Sequence, residues 1–211
     1  MKRAGFEKMS PYRYPFYIMF HPKDGFFEMK TNKKESAVGA FVIIMMWLLV
    51  ELLYRTMTGF DLNPYVGEKV SLLRVSVITI MVFVMVCVSN WCFCTLLDGK
   101  GKLKNICIVG AYSLLPYIIV RFLTILLSQI MTQGEQIFLD YSVILAEVWC
   151  FCLAFCGLQE IQEYSFKKTL LSIGLTLVGV IIMLFVVLLV VMLFQQVYYF
   201  AATIIFELKY S

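Results

Sequence analysis

Three ionisable residues, Glu51, Arg121 and Glu147, stand inside stretches that are otherwise almost wholly apolar. A charged side chain in hydrocarbon is costly, so such residues face a bundle interior, pair with one another, or line a path for protons or solutes. Arg121 lies nine residues before the end of one apolar run, and Glu147 lies about as far into the next. At about 1.5 Å of rise per residue, both sit roughly 12–15 Å below the same membrane surface. The spacing predicts an ion pair between Arg121 and Glu147. Glu51 has Arg55 four residues on, a favourable pair on one helix face. Two readings are open: a structural ion pair that sets helix register, or part of a transport path.

Other side chains with chemistry are the seven cysteines, Cys87, Cys92, Cys94, Cys107, Cys150, Cys152 and Cys156. Cys152 and Cys156 share a helix face at i, i+4, as soft-metal ligands would. The only histidine is His21 and no zinc-type spacing occurs, so no metal or other cofactor is expected and the thiols read as small packing groups. The segment Asp98-Gly-Lys-Gly-Lys102 lacks the spacing of a phosphate-binding loop and reads as a tight turn. No nucleophile, acid–base or metal motif appears, so no catalytic residue is assigned and an enzyme is not expected. A denser polar cluster, Glu160, Glu163, Lys167 and Lys168, marks a candidate docking loop for a partner protein.

The elements that position these residues are membrane spans. The 211 residues are 61% hydrophobic and only 15% charged, too apolar for a soluble surface. Five apolar runs stand out: 37–54, 72–97, 106–130, about 137–158, and 170–194. About 20 helical residues cross about 30 Å of hydrocarbon, and the runs lack the alternation of a barrel. The expected fold is therefore all-α, a polytopic transmembrane bundle of five spans. Its parts are an amphipathic segment over 1–36, a membrane domain over 37–194 and an interfacial helix over 195–211. No cleaved signal peptide is expected, because a long polar stretch precedes the first run.

Within the first segment, Pro22 could open a short helix through Met29, with Phe26 and Phe27 dipping into the lipid interface. Tyr12, Tyr14, Phe16, Tyr17 and Phe20 among Arg13, His21 and Lys23 suit the same place. The alternative is that these rings pack on the protein's own spans. No basic stripe with interleaved aromatics lies in a soluble segment, so nucleic acid is not an expected partner.

Positive charge orients the chain. Thirteen Lys and Arg fall in the N-terminal segment, the second-to-third loop (Lys100, Lys102, Lys104) and the fourth-to-fifth loop (Lys167, Lys168). Four fall on the opposite side: Arg55, Lys69, Arg74 and Lys209. The positive-inside rule predicts a cytoplasmic N-terminus and an outer C-terminus.

Several segments carry a family likeness. They are His21-Pro22-Lys23 with Phe26 and Phe27, and Asn90-Trp91 leading to Asp98-Gly-Lys-Gly-Lys. Ser113-Leu-Leu-Pro116 is another, as is Trp149 leading to Gly157-Leu-Gln-Glu160-Ile-Gln-Glu163-Tyr-Ser. In order and spacing, from about Pro15 to the end of span five, the chain resembles the Yip family, five-span proteins named as interactors of Ypt/Rab GTPases. It looks most like the short bacterial members, often encoded beside sugar-uptake ABC transporters.

The resemblance implies a non-catalytic helical bundle in a bacterial plasma membrane. Its partners would be other integral membrane proteins, among them ABC transporter subunits, the lipid bilayer, or a second copy of the chain. The leading expectation is a membrane scaffold or accessory protein. The alternative is a small transporter or channel that uses Arg121, Glu147 and Glu51.

The charge split makes a direct prediction. Reporter fusions after Lys34 and after Ser211 should report opposite sides of the membrane, with Lys34 inside. Signals from the same side would remove the five-span topology.

Overall fold

The computed structural model describes residues 14–31, 37–65 and 71–210. Tyr12, Arg13 and Lys69 lie outside the described residues. Every regular element among the described residues is helical.

Two short helices come first, α1 (Tyr14–Phe20) and α2 (Pro22–Thr31). Pro22 opens α2, where a missing backbone N–H costs nothing. These helices pack on the protein itself: Ile18, Phe26 and Met29 are fully buried. The Tyr14 hydroxyl donates to the carbonyl of Gly25 at 2.6 Å. Its phenol is pushed up by burial and, next, by the Glu28 carboxylate. Phe16, Phe20 and Phe27 remain exposed. The aromatic segment thus divides: Tyr14 and Phe26 join the core, Phe16, Phe20 and Phe27 face outward, and half-buried Tyr17 stacks on the His21 ring.

Five helical segments are long and apolar enough to cross a membrane. The first is α3 (Ala37–Met57) and the second α4 (Leu72–Leu96). The Oγ of Ser71 caps α4 by accepting the N–H of Arg74 at 3.4 Å. The third span is not one continuous helix. It divides at Leu114 into α5 (Leu103–Ser113) and α6 (Leu115–Leu127). Pro116 brings no N–H to the ladder, and the hydroxyl of Ser113 turns back onto the carbonyl of Val109 at 2.8 Å. Both features interrupt a helix. The fourth span is α7 (Gln136–Gln162), and the fifth is α8 (Phe166–Tyr210).

The core lies where α1 and α2 meet α3, α5 and α7. Tyr112, Val109, Ala111 and Ile161 are fully or almost fully buried there with Phe26 and Ile18. The α4–α8 contact is different in kind, being made by small and polar side chains. Ser89 donates to the carbonyl of Thr176 at 2.8 Å, and Asn90 Nδ2 donates to Thr176 Oγ1 at 2.9 Å. Cys94 Sγ stands 3.2 Å from Ser172 Oγ. Gly179 lets the helices close, because a Cβ there would collide with Ser89 and Phe93. Helices in lipid gain little from apolar burial against one another, so small residues and interhelical hydrogen bonds are what join them.

Helix α8 departs from the expected division at residue 194. It runs unbroken for 45 residues, about 67 Å, more than twice the thickness of the hydrocarbon layer. No glycine or proline follows Gly179, so nothing in the sequence stops the helix at Phe194. From Ile181 to Phe200 every residue but Met183 is exposed.

Candidate functional site

Two places gather polar side chains. One is the end of the bundle where α2, the α4–α5 turn and the α7–α8 turn meet. The other is a groove in the membrane-facing wall.

At the bundle end, α7 stops in a left-handed residue, Glu163, with φ 57°. Its carboxylate takes the ammonium of Lys30 from α2 at 2.5 Å and that of Lys100 from the α4–α5 turn. Lys30 also donates to the carbonyl of Glu160 at 3.2 Å. Gln162 is 1% exposed, and its Oε1 accepts the backbone N–H of Gly101 at 2.7 Å. Gly99 and Gly101 are required here, since a Cβ at either would strike Gln162. Asp98, between them and α4, is the other non-glycine residue with a left-handed backbone among the described residues. Tyr164 donates to the carbonyls of Cys94 at 2.9 Å and Leu97 at 3.3 Å. Burial pushes its phenol up to about 12, and the neighbouring Cys94 adds to this. Lys168 Nζ stands 4.7 Å from the Tyr164 ring centroid, while Lys167 is exposed.

Beside this clamp, Phe27, Lys30, Gln159, Glu160, Glu163 and Tyr164 line an open cleft of about 500 Å³. Of the expected docking residues, Glu160 and Glu163 therefore line the cleft, and Glu163 also holds the three segments together. Sequence reasoning passed over Gln162 and Tyr164, which do as much of that holding. The sequence carries no direct signal for this, because Gly101 lies 61 residues before Gln162 and only the fold brings them together.

Inside the membrane wall, the expected ion pair between Arg121 and Glu147 does not form. No contact within 4.0 Å joins them among the described residues. The guanidinium of Arg121 instead lies over the Tyr54 ring, 3.5 Å from its centroid, with the Tyr117 ring at 5.9 Å. Arg121 Nε is buried without a hydrogen-bond partner, so the aromatic faces are its main compensation. Glu51 lies 3.9 Å from Arg55 Nε and receives a long contact from the Tyr117 hydroxyl at 3.5 Å. Arg55 also covers the Tyr65 ring at 4.4 Å. Glu147 is exposed, and it lines a cavity of about 250 Å³ with Trp47, Leu114, Tyr117 and Cys150. Matched depth brought Arg121 and Glu147 to the same height but left their directions around the helix axes open.

No group of three or more His, Cys, Asp or Glu side chains converges as metal ligands would among the described residues. The cysteines are all free thiols, and Cys87 and Cys94 are buried.

A family model, the Yip1 domain, matches residues 16–204. The chain belongs to the Yip1 family, and its five apolar helices make it a multi-pass membrane protein of that family. No curated protein and no solved structure matches it.

Two measurements test this geometry. Melting curves in detergent for Arg121→Leu, Tyr54→Leu and the double variant should give a coupling of about 1–2 kcal/mol. The corresponding cycle with Glu147→Leu should give a smaller value; the reverse order would restore the ion pair. The second concerns pH. Hydrogen bonds from Lys100 and then Lys30 hold the Glu163 carboxyl down to about 2, from an ordinary value of 4.5. A depressed folded value stabilises fully above the unfolded value and is lost as pH falls through the folded one. The melting difference between wild type and Glu163→Gln should be constant down to about pH 5 and close toward about pH 2. Because Glu163 is 45% exposed, that difference will be small. A difference unchanged at about pH 2 would place the stabilisation elsewhere.

Proposed function

We propose that this Yip1-family protein is a non-enzymatic scaffold or accessory subunit that binds other integral membrane proteins through the clamped end of its bundle. The observation that supports this most is the convergence of α2, the α4–α5 turn and the α7–α8 turn on Gln162, Glu163 and Tyr164. Three segments far apart in sequence are joined there by direct side-chain bonds. The result is a firm rim around an open cleft rather than a set of free loops. The cleft offers one exposed aromatic ring, Phe27, beside the mixed charges of Lys30, Glu160 and Glu163. An apolar anchor with a charged border suits a protein segment better than a reacting small molecule.

Positive charge at this end supports a cytoplasmic position for it. The likeness to short bacterial relatives supports a plasma-membrane location and a subunit of a sugar-uptake ABC transporter as the partner class. A transporter reading finds less support. Where α4 meets α8, Ser89, Asn90 and Cys94 bond to Ser172 and Thr176, so these side chains do not continue a polar track from Glu147 or Glu51.

The test is quantitative co-purification in mild detergent from native membranes. Phe27→Ala combined with Glu160→Lys changes the cleft and leaves the Glu163 clamp in place. Expression and melting should match wild type, while recovery of specific membrane partners should fall severalfold. Recovery equal to wild type would remove the cleft as the docking surface.

A further inference from the structure

We propose that the groove at Glu147 receives a basic side chain from a partner's transmembrane helix. This rests on the reading of the protein as a binder of membrane proteins, and it specifies a second contact, within the bilayer.

Glu147 lies two residues from Trp149, the midpoint of α7, and so near mid-membrane. Its carboxyl group has no hydrogen-bond or ion-pair partner among the described residues. The two cations that could have served are already engaged: Arg121 over Tyr54, and Arg55 with Glu51 and Tyr65. A carboxylate held in hydrocarbon without a partner is unfavourable. A positively charged group from outside the chain would restore balance. The groove is built for a side chain. It holds about 250 Å³ and is lined by the aromatic residues Trp47 and Tyr117, whose rings attract cations as a carboxylate does. Its flanks suit a helix. Along α7, Ile144, Leu145, Val148 and Phe151 are exposed around Glu147. A helix laid on those apolar flanks with one Lys or Arg at mid-depth would place its charge at Glu147.

The test needs no native partner. A synthetic transmembrane peptide of leucine and alanine carries one central lysine, and its control carries leucine there. Energy transfer between labelled peptide and labelled protein in lipid vesicles measures association. The lysine peptide should bind wild type about threefold to about twentyfold better than the control, the range that one polar contact between membrane helices carries. Glu147→Gln should abolish that preference while its melting curve shows the fold intact. Glu147→Asp, which keeps the charge, should retain part of it. Equal binding of both peptides to wild type, or a preference that survives Glu147→Gln, would overturn the proposal. The outcome is separate from that at the cleft: Phe27→Ala with Glu160→Lys should leave peptide binding unchanged.

Discussion

The rest of the structure depends on how α7 ends. Helix termini leave backbone groups without partners, and buried polar side chains must find them. Here three consecutive residues supply partners to separate parts of the chain, although Gln162 Nε2 itself stays buried without one. Gln162 takes the amide of Gly101, Glu163 takes Lys30 and Lys100, and Tyr164 takes the carbonyls that end α4. Both left-handed residues among those described, Asp98 and Glu163, lie in the two turns so joined. A left-handed non-glycine residue is unfavourable by itself and persists where its surroundings determine it. The clamp is that surrounding. Helices in lipid lack a strong apolar drive to associate, so directional bonds such as those from Gln162 and Tyr164 add to the packing of α1 and α2 on α3, α5 and α7.

The five spans were legible because hydropathy acts over long windows and a bilayer sets one length scale. The break at Leu114 was less so. The third apolar run is continuous in composition, and only the backbone chemistry of Ser113 and Pro116 interrupts it. The unbroken α8 exceeded its expected boundary for the opposite reason: 25 residues suffice to cross a membrane, but sufficiency does not end a helix. An end needs a glycine, a proline or a cap, and none follows Gly179.

The candidate site was legible in its charges and hidden in its neutral partners. Glu160 and Glu163 stood out, as did the lysines, because formal charge is visible without coordinates. Gln162 and Tyr164 did not, although each makes bonds across more than 60 residues of sequence. The same bias produced the expected Arg121–Glu147 pair. A search for charges offers a carboxylate to every cation, whereas Tyr54 and Tyr117 satisfy Arg121 through ring faces that no charge count includes. Depth along a helix follows from residue number, but direction turns by about 100° per residue and is set by packing.

That error has a consequence for the molecule. Were Arg121 paired with Glu147, the membrane-embedded charges would be internally balanced, and the wall of the bundle would be inert toward other helices. With Arg121 held by aromatic rings, positive charge is accommodated inside and negative charge is left at the surface. An imbalance of this kind in water would be solvated and carry no information. In hydrocarbon it discriminates, since only a neighbour with a complementary group at the same depth relieves it. On the proposed reading, the bundle would offer two different recognition chemistries: a polar rim at one end, and a single carboxyl group in an apolar wall. A partner that satisfies both must match the chain in the spacing between its membrane helix and its polar domain. That is a stricter requirement than either contact sets alone.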